Sequence, residues 1–176
     1  MKTLQRLLLL ILAMPLLASH CEKENFDILP PETQEGKNTF GCLINGEVFV
    51  KGYAPWMHPR ISAYYYDGSS KHLTIDSYLY PKGYIQMHIE NPFIDQQLKI
   101  TVCYYAPRNG DYSECFYFGG RNVGNITITK LDTINKIVSG RFNFDGQCSN
   151  EFVNPVGDSI VHITQGRFDI KLDVYD

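Results

Sequence analysis

Three polar residues on adjacent predicted strands are of the types that carry out acyl transfer: Ser62, Asp76 and His88. The predicted hairpin register places Asp76 opposite His88, and the preceding strand brings Ser62 beside Asp76. A hydrolytic triad requires the imidazole between the nucleophile and the carboxylate, whereas here the carboxylate lies in the middle. The sequence also lacks a G-x-S-x-G elbow. The pattern therefore predicts an Asp–His pair on a polar sheet face, and the chain is predicted not to be an enzyme.

The same predicted face carries a row of tyrosines. Pairing Tyr80 with Tyr84 across the intervening turn groups these two with Tyr64, Tyr66 and Tyr78. Tyrosines suit pleated strands, and a second sheet could simply cover them. Rings displayed in a row also form a flat platform with a polar rim, which can stack on sugars or anchor a protein partner. Exposure of the face would favour binding, and burial would favour a structural role.

A second candidate binding region is the loop at 51–59, which holds the only tryptophan of the chain, Trp56, between two prolines. Functional residues often lie on such loops, but the favoured interpretation is that Trp56 covers an open end of the core. His58, His72 and His162 are scattered and are interpreted as surface or structural residues. Because no C-x-x-C or H-x-x-x-H spacing occurs, the sequence predicts no metal site and no cofactor.

Short alternating runs separated by turn residues must position these groups, a pattern typical of a sandwich or barrel. Asn45-Gly46 is the strongest hairpin signal, because a type I′ turn requires positive φ at both central residues. Gln165-Gly166 predicts a final hairpin. The fold prediction is all-β, a mainly antiparallel β-sandwich or open barrel of about ten strands. The predicted strands cover residues 40–44, 47–50, 60–66, 72–80, 84–90, 98–105, 114–118, 125–131, 136–145, 159–164 and 167–174.

Alternation within these strands predicts which side chains point into the core. The inward positions are mainly aliphatic and aromatic: Leu73, Ile75, Ile85, Met87, Ile89, Leu98, Ile100, Val102, Val138, Phe142, Phe144, Phe168, Ile170, Leu172 and Val174. The tyrosine row therefore belongs to the opposite, outer face of its strands.

The N-terminus has the pattern of a bacterial export signal. Lys2 and Arg6 flank an apolar run at 7–17 that is too short to span a bilayer. Cys21 follows closely, as in lipoproteins, where the cysteine is acylated and becomes the first mature residue. We therefore predict a lipoprotein signal peptide over residues 1–20, lipidation of Cys21 and a place in the cell envelope, in the outer membrane facing the periplasm or the surface. The alternatives are a soluble secreted protein and an uncleaved anchor.

Residues 21–38 are polar and charged and contain two prolines, which predicts a flexible tether. Residues 39–176 suffice for a single β domain with its own core. Removal of the signal takes away Lys2 and Arg6 and leaves all 19 acidic residues, so the mature chain is acidic. An acidic surface disfavours nucleic acid and anionic lipid surfaces as partners, and the predicted membrane contact is the lipid alone.

Four cysteines remain after Cys21: Cys42, Cys103, Cys115 and Cys148. An exported protein meets oxidising conditions, where an even set of cysteines suggests disulfides with three alternative pairings. A local bridge between Cys103 and Cys115 is the simplest, and it leaves Cys42 with Cys148. Zinc is the rival interpretation, but the required ligand spacing is absent.

Four strand and turn motifs carry a resemblance to a family: N-T-F-G-C-L-I-N-G at 38–46, I-T-I-T-K-L-D at 126–132, S-G-R-F at 139–142 and I-T-Q-G-R-F-D at 163–169. Together they resemble the small lipoproteins of Bacteroidota that contain a domain of unknown function. The resemblance covers nearly all of the β domain and implies a fold and a compartment. It implies no active site.

The leading functional hypothesis is a lipid-anchored envelope protein that binds a ligand, such as a glycan, or an envelope protein through the tyrosine face or the Trp56 loop. The alternative is a structural or assembly protein of the envelope without a small-molecule ligand.

Overall fold

The computed structural model describes residues 27–52, 60–80, 83–95, 97–99, 102–105, 116–119, 124–147 and 160–175. All regular secondary structure within these residues is β-strand, which confirms the all-β prediction. The eleven strands are β1 (Thr39–Ile44), β2 (Glu47–Lys51), β3 (Ile61–Tyr66), β4 (His72–Tyr80), β5 (Gly83–Glu90), β6 (Gln97–Lys99), β7 (Val102–Tyr105), β8 (Phe116–Gly119), β9 (Gly124–Asp132), β10 (Ile137–Gln147) and β11 (Ile160–Tyr175).

Five of the strands form a closed barrel. β11 pairs with β1, β1 with β2, β2 with β4, β4 with β3, and β3 returns to β11. The β3–β11 pair is parallel and the other four pairs are antiparallel. From the barrel, β10, β9 and β6 extend the sheet beyond β11, and β5, β7 and β8 extend it beyond β4. The predicted antiparallel architecture is therefore confirmed, but the barrel is closed where an open one was predicted.

Closure depends on β11 and β4, which each place two partners along one edge. β11 pairs with β1 through residues 163–169 and with β3 through residues 172–175. β4 pairs with β3 through residues 72–77 and with β2 through residues 79–80. Each of the two strands extends beyond its first partner and pairs with a second one. This change of partner closes the sheet into a barrel.

Two predicted turns have opposite outcomes. At Asn45-Gly46 both φ angles are positive, 50° and 88°, and Ile44 pairs with Glu47, which confirms the tight hairpin. Gln165-Gly166 lies inside the 16-residue β11, so the predicted final hairpin is wrong. A Cβ on Gly166 would come within 2.5 Å of the Phe142 ring, so glycine is required here because the ring packs on the backbone.

The predicted core is confirmed wherever the structure describes its side chains. The buried members are Leu73, Ile75, Ile85, Met87, Ile89, Val138, Phe142, Phe144, Phe168, Ile170 and Leu172. Val174 is partly buried against the same cluster. The side chains of Leu98, Ile100 and Val102 lie outside the described set.

Cys42 is also part of this core, with no exposed surface, and it is a free thiol. Burial raises the pKa of Cys42 to about 12, so the thiol is protonated and unreactive at neutral pH. The structure thus differs from the predicted Cys42–Cys148 disulfide, because Cys42 points inward among apolar side chains. Cys148, Cys115 and the side chain of Cys103 lie outside the described residues, and the Cys103–Cys115 bridge stays a prediction.

Residues 29–38, which we call the N-terminal strap, lie across the outer side of β10 and β11. The strap is fastened by the carboxylate of Asp169, which is only 1% exposed. Five donors lie 2.5–3.2 Å from its two oxygens: Thr33 Oγ1, Ser139 Oγ and the backbone N–H groups of Glu35, Gly36 and Lys37. Burial alone would raise the pKa of Asp169, but the hydrogen bonds led by that of Thr33 outweigh it and hold the pKa below its ordinary value.

Further contacts hold the strap at both ends. The guanidinium of Arg141 donates to Glu32 at 2.8 Å, and the backbone N–H of Lys171 donates to Asn38 Oδ1 at 2.8 Å. This part of the chain was predicted to be a flexible tether, and the structure instead binds it to the domain. Residues 21–26 of the predicted tether lie outside the described residues.

Candidate functional site

The tyrosine face lies on the outer side of β3, β4 and β5, opposite the buried core residues of the same strands. Along β5, buried and partly exposed residues alternate from Gly83 to Ile89, and β4 alternates in the same way. Ser62 pairs with Asp76, as predicted from the sequence. Alternation in the sequence therefore placed the outer face correctly.

The register between β4 and β5 differs from the prediction by two residues. Tyr78, and not Tyr80, pairs with Tyr84, because residues 80–82 rather than 81–83 connect the two strands. Asp76 consequently pairs with Gln86 instead of His88. The predicted Asp–His pair is wrong, although a shift of two residues leaves every side chain on its predicted face.

His88 pairs instead with Thr74, and its Nδ1 lies 3.1 Å from Thr74 Oγ1. The three residue types of a triad are therefore separated: no imidazole contacts Asp76 among the described residues, and Ser62 lies across the strand from the carboxylate. This arrangement cannot activate a serine.

Five rings on the outer face form a continuous row, which we call the aromatic strip: Tyr64, Tyr175, Tyr66, His72 and His88. In that order the successive ring centroids are 6.2, 5.1, 4.4 and 5.0 Å apart. The Tyr66 ring stacks on both His72 and Tyr175, with interplanar angles of 18° and 20°. Offset stacking of this kind stabilises aromatic pairs beyond their buried area.

Tyr175, His72 and His88 were not among the predicted binding residues. Tyr175 enters the strip because the parallel β3–β11 pairing places it beside Tyr66. His72 and His88 could have been found by extending the tyrosine row along its own strands by alternation. Tyr66 is 38% exposed and Tyr175 is 44% exposed, so the strip is open to solvent at these two rings.

A second group on the same face combines two rings with polar side chains. Tyr78 and Tyr84 contact each other with ring centroids 5.0 Å apart. The Tyr84 hydroxyl donates to Asp76 Oδ1 at 2.6 Å, and Gln86 Nε2 donates to the same oxygen at 2.8 Å. We call Asp76, Gln86, Tyr78 and Tyr84 the polar cluster. It lies beside the aromatic strip on the same strands.

The face carries charges of both signs, and the exposed basic residues Arg60 and Lys171 alternate onto it. Asp76, Glu90 and Asp173 belong to it, and Glu90 and Asp173 are exposed. At one end Lys71 forms an ion pair with Asp67, so its charge is locally balanced. Burial, followed by the nearby His72, lowers the pKa of His88, and Glu90 opposes this only partly. His88 is therefore neutral at pH 7.

Besides the cysteines of the predicted disulfides, three of the predicted site residues are not fully described by the structure. Trp56 and Cys21 belong to undescribed segments, and only the backbone of Tyr80 is described, in β4 opposite Val50. Tyr64, Tyr66, Tyr78 and Tyr84 all lie on the outer face, and the structure distributes them between the aromatic strip and the polar cluster.

Among the described residues, no metal-ligand group, cavity or membrane-spanning helix provides a stronger candidate site. No group of three or more His, Cys, Asp or Glu residues is arranged to hold a metal ion within the described ranges. A cavity of about 220 Å³ lies at the ends of β9, β10 and β11 and contains none of the predicted binding residues. The described part of the chain has no helical segment with the length and hydropathy needed to cross a bilayer.

In comparisons with known proteins, no family model matches the chain, and no curated protein or solved structure matches it significantly. Function must therefore be inferred from the geometry of the outer face.

Proposed function

We propose that this protein is a lipid-anchored protein of the cell envelope that binds a neutral glycan on its outer tyrosine face. The observation that carries the proposal is the aromatic strip, a row of five rings on one sheet face, of which Tyr66 and Tyr175 are exposed. A sugar ring presents an apolar C–H face bordered by hydroxyls, and a tyrosine presents an apolar ring with a polar tip. Because Tyr66 stacks on both His72 and Tyr175, the strip meets a sugar with ring edges and hydroxyls as well as with apolar ring surface, and this mixture matches the C–H and hydroxyl groups of a sugar.

The shape of the strip favours an extended ligand. Its successive ring spacings of 4.4–6.2 Å build a continuous aromatic surface rather than a closed pocket. A chain of linked sugars can contact several rings at once, which raises the overall affinity above that of a single weak contact. A monosaccharide would engage only one or two of the rings.

Charge decides between neutral and acidic glycans. The face carries Asp76, Glu90 and Asp173, and His88 is held neutral at pH 7. These three carboxylates outnumber the two basic residues of the same face, Arg60 and Lys171, so an anionic polymer would be repelled by the net potential. A neutral polysaccharide meets no such penalty.

The alternative role, a structural or assembly protein of the envelope without a small ligand, receives less support. A purely structural tyrosine face would be covered, whereas Tyr66 and Tyr175 are more than one-third exposed. An exposed aromatic patch on a protein surface is typical of a binding site.

Isothermal titration of the detergent-purified full-length chain with cello-, xylo-, manno- and maltohexaose tests the glycan proposal. We expect saturable binding of at least one of them, weakened about tenfold or more by Tyr175→Ala through lost stacking. Phe93→Ala removes a 57% exposed aromatic outside the strip and serves as the matched control. No binding to any of the four, or equal losses in both variants, would reject the proposal.

The anchor has its own test. Lys2, Arg6 and the apolar run before Cys21 support acylation of this cysteine. In cells fed an alkyne-tagged fatty acid, the wild-type chain should carry the label and remain in the membrane fraction. Cys21→Ser should lose both, whereas Cys42→Ser should retain them. Label on Cys21→Ser would contradict the proposed anchor.

A further inference from the structure

Asp76 lies near the centre of the outer face, and its two carboxylate oxygens have different hydrogen-bond partners. Its Oδ1 accepts two hydrogen bonds, from the Tyr84 hydroxyl and from Gln86 Nε2. Its Oδ2 accepts none from any described residue. One oxygen is thus used to orient the group, and the other remains available to a ligand.

The orientation is firm because the two donors are themselves connected. Gln86 Nε2 also lies 3.3 Å from the Tyr84 hydroxyl, which closes a three-membered hydrogen-bond network on β4 and β5. Such a network limits the rotation of the carboxylate before a ligand arrives, so little side-chain entropy remains to be lost on binding. The Tyr78–Tyr84 ring pair borders the same site.

A carboxylate oxygen only accepts hydrogen bonds, so its natural partners are donors. Within the described residues, Asp76 has no cationic partner that would occupy it. Neighbouring hydroxyls of a sugar are donors spaced closely enough to share one oxygen with two lone pairs. Bonds to an ionised acceptor are also stronger than neutral ones.

We infer that Asp76 Oδ2 binds a pair of adjacent free hydroxyls on the glycan, and that this contact determines which sugars the face accepts. The polar cluster would select one sugar unit, while the aromatic strip beside it would bind the adjoining part of the chain without selecting. This inference rests on the proposed glycan function. It narrows the ligand class to neutral glycans with an unsubstituted vicinal diol.

The first experiment compares Asp76→Asn with Asp145→Asn for binding of whichever hexaose the wild-type chain binds best. Asp145 is an exposed carboxylate on β10 that contacts His162, so the control makes the same chemical change away from the outer face. We expect Asp76→Asn to weaken binding by about ten- to a hundredfold and Asp145→Asn to leave it unchanged. Thermal unfolding of both variants verifies that they are folded.

A second experiment changes the ligand and keeps the protein intact. The per-O-methylated form of the same hexaose still presents ring faces but has no hydroxyl donors. Its binding to the wild-type chain should fall at least as far as that of the native hexaose to Asp76→Asn. Equal affinity for the methylated and native sugars would overturn the inference even if Asp76→Asn failed to fold.

The outcomes separate the two proposals. Loss of affinity in Tyr175→Ala with no change in Asp76→Asn would overturn the role of Asp76 and leave the glycan function standing. Absence of binding to all four hexaoses by the wild-type chain would overturn both. Losses in both variants, with the Asp145→Asn control unchanged, would support both.

Discussion

Two aspartates on the outer side of the sheet, Asp169 and Asp76, have opposite surroundings. Asp169 lies under the N-terminal strap, is 1% exposed and uses both oxygens to accept five hydrogen bonds. Asp76 lies on the open face and accepts two hydrogen bonds on one oxygen. Both oxygens of Asp169 are therefore occupied by hydrogen bonds within the protein, whereas one oxygen of Asp76 can still accept hydrogen bonds from a ligand. The distribution of hydrogen bonds thus distinguishes a structural carboxylate from one available for binding.

The cause of the difference is the cover over each part of the sheet. On β10 and β11 the strap supplies backbone N–H groups that must find acceptors once they are removed from water. On β4 and β5 neighbouring side chains supply the donors, and they approach from one side only. A buried carboxylate requires complete pairing, whereas a half-exposed one can leave an oxygen to solvent.

Asp169→Asn is expected to have the largest effect on stability, and it tests the difference between the two aspartates directly. The new amide group would face N–H donors, so we expect the free energy of unfolding to fall by about 3 kcal/mol. Asp76→Asn, the same change on the open face, should stay within about 0.5 kcal/mol of the wild type. Urea denaturation measures both. Similar losses for the two variants would show that burial does not distinguish the two aspartates.

Acid provides the next test. The pKa of Asp169 is lower in the folded chain than in the unfolded chain, so its stabilising contribution is complete above the ordinary aspartate value of about 3.9 and is lost as the pH falls through the lowered value. Unfolding free energies between pH 7 and pH 2 should therefore fall less steeply for Asp169→Asn than for the wild type. Parallel curves would contradict this assignment.

A smaller effect on stability is expected from removing a threonine hydroxyl in each of the two regions. Thr33→Val removes one donor to Asp169 and should cost about 1 kcal/mol, with faster hydrogen exchange of the amides of residues 35–37. Thr74→Val removes the contact with His88 on the open face and should cost less than about half as much. Faster exchange in the strap of Thr74→Val would argue against independent regions.

The smallest effect concerns His88. Burial and the neighbouring His72 lower its pKa, so its contribution to stability is complete above the ordinary histidine value of about 6.5 and is lost as the pH falls below it. Titration of the His88 ring protons by NMR should give a midpoint below 6.5, and His72→Gln should move it upward. A midpoint above 6.5 would show that Glu90 dominates.

Local patterns predicted much of this molecule. Alternation identified the core and the outer face, and Asn45-Gly46 identified its hairpin, because both signals depend on neighbouring residues. The tyrosine face was predicted correctly despite a two-residue error in register, because a shift of two residues keeps each side chain on the same face of the sheet. Gln165-Gly166 has the composition of a turn, but packing of Phe142 on Gly166 within a long strand determined the outcome.

Long-range contacts account for what the sequence did not predict. Asp169 alternates outward in β11 and resembles an ordinary solvated residue, and only a strap 136 residues away, measured from Thr33, reveals its role. Tyr175 joins the aromatic strip through a parallel pairing with no local signal. Closure of the barrel depends likewise on where two strands exchange partners.

Fastening of the strap also limits how far the domain can stand from a membrane. With Cys21 acylated as proposed, only the eight residue steps from Cys21 to Leu29 separate the lipid from the first residue of the strap. Fully extended, they reach at most about 29 Å, roughly the diameter of a small domain. A free tether ending at Asn38 would reach about twice as far. If the outer face binds glycans as proposed, it would therefore encounter polymers lying close to the membrane surface and would not reach those further away.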